Sequence, residues 1–124
     1  MAVSALIVGL MLAQATAPGI TVTGESDQID VAYQELSEGR PREALAKLHG
    51  ATAVMQDDPS ALINLGTAYA RVGQTDKARD LYRAAIASRM RYDLQLADGS
   101  WLDSRRAARL AGERLGTTRL LVVR

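Results

Sequence analysis

Apolar positions recur at helical spacing through the middle of this chain. Leu62, Leu65, Gly66, Tyr69 and Ala70 fall at i, i+3, i+4, i+7 and i+8, and after Gly73 the stripe resumes as Ala78, Leu81, Tyr82, Ala85 and Ile86. This period predicts two amphipathic helices packed back to back across a short glycine turn. Gly66 and Ala78 mark the point of closest approach, with Tyr69 and Tyr82 filling the space beside them. Asp58, just before Pro59, predicts the N-cap of the first helix, and Thr75 is the candidate cap of the second.

A weaker copy precedes this pair. Ile29, Ala32, Tyr33 and Leu36 share one helical face, and Leu45, Leu48, Thr52 and Met55 extend the face of the next helix. Pro41 suits that helix's first turn, where its missing N–H is not needed. Aligned on the turn, Val31-Ala32, Gly39, Ala44, Leu48 and Ala51 occupy the same slots as in the stronger copy, with Glu35 where a tyrosine is expected.

Beyond residue 89 the period changes to two. Met90, Tyr92, Leu94 and Leu96 alternate with Arg91, Asp93, Gln95 and Ala97, which predicts a strand with one buried face. Asp98-Gly99 is a hairpin signal, with Gly99 suited to the left-handed turn position. Asp103 or Ser104 then caps a helix running to about Leu115, with Ala107, Leu110 and Ala111 as its stripe and Gly116 closing it. Leu120–Val123 reads as a terminal strand or a frayed tail.

Residues 59–88 resemble a tetratricopeptide repeat, a helix–turn–helix unit of about 34 residues. Leu62, Leu65-Gly66, Tyr69, Gly73, Ala78, Tyr82 and Ala85 stand on the family's spaced positions. Leu62 replaces the usual Trp, and Met90 replaces the closing Pro. The resemblance implies a mainly α fold: a short α-solenoid of two repeats, about 26–57 and 58–89, followed by a β-hairpin and a C-terminal capping helix in 90–124. The alternative is a generic four-helix array. Two repeats leave an apolar end uncovered, because at least three are usually needed for stability. The hairpin and last helix supply the missing layer, with Trp101 as the expected buried anchor.

The resemblance also implies a concave groove for a peptide or protein partner. Its matching positions are Ile29, Tyr33 and Ser37 in the first repeat, and Ile63, Asn64, Thr67 and Arg71 in the second. Asn64 matches one residue of the carboxylate clamp found in one branch of the family. Ile29 and Tyr33 do not match the clamp's first-repeat Lys and Asn, so a carboxylate clamp is not supported. The expected groove is more neutral and suits an extended segment.

Composition narrows the function classes. The chain has 124 residues, enough for one domain, and no Cys, which removes disulfides, thiolate metal sites and a Cys nucleophile together. Hydrophobic content is 48% with no Phe and one Trp, so the core is built from Ala, Leu, Val, Ile and four Tyr. Residues 25–88 hold 7 basic and 10 acidic groups, net −3, whereas residues 89–124 hold 8 basic and 4 acidic, net +4. That basic tail reads as a solvated helix face or a contact for an acidic ligand. Its arginines are not interleaved with stacking aromatics, which argues against nucleic acid.

No catalytic constellation is present. His49 is the sole histidine, no HExxH, GxGxxG or GxxxxGK[ST] occurs, and the serines lack a nearby base. Asp93, Asp98 and Asp103 lack the arrangement of a calcium loop. The expectation is a non-enzyme without cofactor or metal, acting as a scaffold or adaptor. Self-association as a homodimer and a regulatory module binding an acidic ligand are the alternatives. Ala5–Ala13 is an apolar run too short to span a bilayer, and it is followed by the small-x-small pattern Ala13-Gln14-Ala15. This reads as a signal peptide over 1–15, cleaved after Ala15 and lacking the usual basic start, with residues 16–25 as a linker in which Ile20–Thr23 is a weak candidate for a short strand. Export to a periplasm or beyond is the expectation, and a cytoplasmic location the alternative.

Overall fold

The computed structural model describes residues 20, 22–23 and 31–123, so the segment read as a signal peptide and groove residue Ile29 lie outside the described residues. In chain order the elements are β1 (Val22–Thr23), α1 (Tyr33–Ser37), α2 (Pro41–Leu48), α3 (Thr52–Met55), α4 (Pro59–Arg71), α5 (Thr75–Ala87), β2 (Asp93–Leu96), β3 (Trp101–Asp103) and α6 (Ser104–Val123). The fold is mainly α, with two successive helical pairs, α1/α2 and α4/α5, followed by the hairpin and α6.

The second pair forms as its pattern predicts. Asp58 caps α4 by accepting from the Ala61 N–H at 3.1 Å, and Pro59 occupies the first turn. At Gly66 the helices touch: a Cβ built there would lie 2.7 Å from Cε1 of Tyr82 and 3.3 Å from the carbonyl oxygen of Ala78. Glycine is therefore the residue that lets α5 approach α4. Gly73 ends the turn with φ of 87°, a conformation open to glycine at little cost. Thr75 does not cap α5. It is the first helical residue, after Gln74, which makes no side-chain cap bond.

The first pair is shorter than its pattern suggests. The described part of α1 begins only at Tyr33, because Ala32 adopts a left-handed conformation with φ of 57° and turns the chain. The second helix of the pair does not continue to Met55: α2 stops at Leu48, and Ala51 is extended before the short α3. Gly50, poorly suited to a helix interior, sits in that break. Glu35, standing where the pattern calls for a tyrosine, bridges to Lys47 at 2.8 Å and ties α1 to α2.

The hairpin turns through Ala97, Asp98 and Gly99, with Gly99 at φ of 85°. The Gly99 N–H donates to the Leu96 carbonyl and the Leu96 N–H to that of Ser100. This three-residue loop sets Leu94 opposite Leu102 and Gln95 opposite Trp101. A two-residue Asp98-Gly99 turn would have set Trp101 opposite Leu96 instead. The one-residue slip sends alternate side chains to the other face, so Trp101 is 51% exposed and is not the buried anchor.

The layer over α5 comes from α6. Ala107, Ala108 and Ala111 are buried in one cluster with Ala78, Tyr82, Ala85 and Leu94. Small side chains on both helices permit close packing, which covers the open end of the repeats. Asp103 caps α6 by accepting from the Arg106 N–H at 3.2 Å and also takes the Arg91 guanidinium at 2.7 Å. The helix runs through Gly116 to Val123 rather than closing there, since one interior glycine costs only about 1 kcal/mol.

The stretch read as a linker is in part structural. Val22–Thr23 pairs antiparallel with β2, setting Val22 opposite Leu96 and completing a three-stranded sheet of order β1-β2-β3. Ile20 and Val22 are buried in the same cluster as α4, α5 and α6. These residues are part of the core, not a spacer.

Candidate interaction groove

The expected groove residues of α4 lie in register on one helical face. Ile63, Asn64 and Thr67 are all fully buried, and the polar side chains of the last two are engaged by the chain's own backbone at Val22, Val31 and Ile20. Val22 donates its N–H to Asn64 Oδ1 at 2.8 Å, and Asn64 Nδ2 donates back to the Val22 carbonyl at 2.8 Å. The second Nδ2 hydrogen reaches the Val31 carbonyl at 2.9 Å. Only this orientation of the amide places its donors on carbonyls and its acceptor on an N–H. One side chain thus replaces the neighbouring strand that Val22 lacks on that side, while β2 supplies the other.

Thr67 continues the same recognition one step along. Its hydroxyl donates to the Ile20 carbonyl and lies 3.0 Å from the hydroxyl of Tyr82. Burial raises the Tyr82 pKa, keeping that hydroxyl protonated and able to donate to Thr67. Asn64 and Thr67 thus address the backbone of Val22 and Ile20, with a further Asn64 bond to Val31 and Tyr82 supporting Thr67. Ile20 and Val22, two apart, place their side chains in the core.

The remaining predicted positions are not gathered with Asn64 and Thr67. Arg71 is half-buried; it donates to the Leu36 carbonyl and so pins the end of α1 to α4. Its Nε is buried with no partner among the described residues, and burial lowers its pKa. Tyr33 is half-buried against the smaller core cluster of Val31, Leu36, Ala44 and Leu48. Ser37 is exposed and donates to the Gln34 carbonyl of its own helix. His49, exposed, lies 3.2 Å from the Tyr69 hydroxyl.

A second polar cluster escapes sequence reasoning. The Tyr92 hydroxyl donates to the Asp58 carboxylate, 2.9 Å from Oδ2, and lies 3.3 Å from Ser60 Oγ. Ser60 Oγ also donates to Asp58. Desolvation, with Asp58 adding its negative charge, pushes the Tyr92 pKa up to about 12. Asp58 is visible as a cap, but Tyr92 looks like one more apolar position of a strand. Nothing local in the sequence joins the two. The cluster anchors the hairpin to the start of α4, and every group in it is occupied by that task. Among the described residues no three acidic, His or Cys side chains converge on a metal site. No helix among them is long and apolar enough to cross a membrane.

Paired antiparallel helices with a glycine at their contact, stacked side by side, define a helical-repeat protein. The tetratricopeptide repeat family model matches residues 35–93, spanning most of both pairs, and this segment is a tetratricopeptide-repeat region. No curated protein and no solved structure matches the chain. Repeats of this family serve as protein–protein interaction modules.

Proposed function

We propose that this chain is a non-catalytic scaffold or adaptor that binds a protein partner through its repeat groove and acts after export. The observation that carries the reading is the repeat match over residues 35–93, which lies on the two helical pairs. The buried polar groups support it: Asn64, Thr67, Asp58 and Tyr92 are engaged in holding backbone and helix ends rather than in poising a nucleophile. Export is supported by the apolar run ahead of Ala13-Gln14-Ala15. Cleavage after Ala15 would leave Ile20 and Val22, both core residues, on the mature chain.

The test is isolation of the chain from the envelope fraction of its native host. The expected result is a mature chain starting at Thr16 that travels with one partner at fixed stoichiometry through size exclusion. Elution as a bare monomer at or below 13.3 kDa would overturn the binding reading. Recovery of a chain that still begins at Met1 would overturn export.

A further inference from the structure

We propose that the groove is an acceptor for one extended strand with apolar residues at alternate positions, and that the segment holding Ile20 and Val22–Thr23 is a built-in competitor for a partner segment of that kind. The inference rests on the binding reading above and specifies its ligand. Three observations carry it. First, recognition is addressed to backbone: Asn64 satisfies both polar groups of Val22, and Thr67 takes the Ile20 carbonyl. Any residue except proline at the Val22 position presents the same two groups, so these bonds select an extended conformation rather than one sequence.

Second, the seat is double-sided. The strand adds to the edge of β2, with Val22 opposite Leu96 and Thr23 opposite Gln95, while α4 closes its other side. Strand addition supplies affinity through main-chain bonds, and slots for alternate side chains supply selectivity. Here the two slots are apolar and hold Ile20 and Val22, at 4% and 0% exposure. Third, Asn64 and Thr67 stand at positions that the family resemblance assigns to the groove, and both are fully buried with the Val22 and Ile20 backbone as partners. A segment of the partner seated there would take over an existing set of donors and acceptors without rebuilding the fold. The partner's apparent affinity is its intrinsic affinity scaled by the fraction of chains whose groove is vacant. Covalent tethering gives the internal strand a high effective concentration, and a free segment of equal fit displaces it once supplied above that concentration.

The register provides the test. The chain has no cysteine, so Thr23→Cys with Gln95→Cys introduces a single cross-strand disulfide that holds the internal strand in place. The probe is a fluorescent peptide of sequence PGITVTG, with a control bearing Asp in place of its Ile and Val. The reduced double variant is expected to bind the probe at least about 10-fold more tightly than the oxidised form, and reduction of the oxidised form restores binding. The full chain carrying Ile20→Ser and Val22→Ser, confirmed folded by circular dichroism, should bind it more tightly than wild type. If that variant does not fold, the disulfide pair alone decides.

Equal binding to the oxidised and reduced chain, no binding to either, or equal binding of the Asp control overturns the proposal. A disulfide that instead joins the two introduced cysteines between separate chains, giving a species of doubled mass, also overturns it, since the natural occupant would then be a second copy. A native partner held equally by oxidised and reduced chain overturns this proposal and leaves the binding reading intact. The absence of any native complex defeats the binding reading itself.

Discussion

At the scale of single residues, two positions carry unusual weight. Gly66 faces the Tyr82 ring, which is buried and held at its hydroxyl by Thr67, so the ring has nowhere to retreat. Gly66→Ala gains about 1 kcal/mol of helix propensity but forces an overlap of the kind that costs about 1–3 kcal/mol. Net destabilisation of up to about 2 kcal/mol is expected in urea unfolding; a stabilised variant would show that α5 can move. Asn64→Ala strips the buried backbone of Val22 of both partners. Each orphaned group costs about 1–3 kcal/mol, limited by release of the strand into water. A loss of about 2–4 kcal/mol is expected, with fast hydrogen exchange at the Val22 amide that wild type protects. Gly66 is legible in the sequence because close helix approach needs a small residue at a fixed helical spacing. The engagement of Asn64 is not, because its partner lies 42 positions away and has no local signature.

At the scale of elements, the hairpin shows how far pattern reading reaches. Alternation and the Asp98-Gly99 pair locate both strands and their turn. They do not determine whether the loop holds two residues or three, and that single count decides which face Trp101 joins. Trp101→Ala is therefore expected to cost under about 1 kcal/mol, in keeping with an exposed site away from special contacts. Leu94→Ala, on the inner face at 1% exposure, should cost about 2–5 kcal/mol. Reversal of that order in thermal melts would place the sheet the other way round. The helical pair 59–88 is legible for the complementary reason: a stripe sustained over two long helices leaves little choice of face. The two-residue β1 reads as a linker because so short a strand has no period, and its burial is dictated by α4 and β2. The short first pair hides its departure too, since the left-handed turn at Ala32 occurs at a residue that is at home in helices.

For the whole molecule, pH dependence follows from the half-buried Tyr92 and the buried Tyr82. Tyr92, with its pKa pushed up to about 12, stays protonated in the folded chain at pH values where the unfolded chain has lost that proton. Its stabilising contribution is complete below the ordinary tyrosine pKa of about 10. It declines as pH rises from there toward about 12, because the unfolded state then binds fewer protons. Tyr82 acts in the same direction. Stability is expected to fall between pH 10 and about 12, and Tyr92→Phe should flatten that fall while lowering stability at neutral pH. An unchanged alkaline slope would remove Tyr92 from the account.

The antiparallel match of Val22 with Leu96 also has a meaning for how the chain is made. Residues near the amino end leave the ribosome first, yet their docking place is finished only after the hairpin has been synthesised. During that interval an apolar segment waits while the helical pairs are already able to close on each other. The Val22–Leu96 contact thus forms only after both helical pairs have been made, and a chaperone that reads extended apolar segments has its opportunity before the fold reclaims this one.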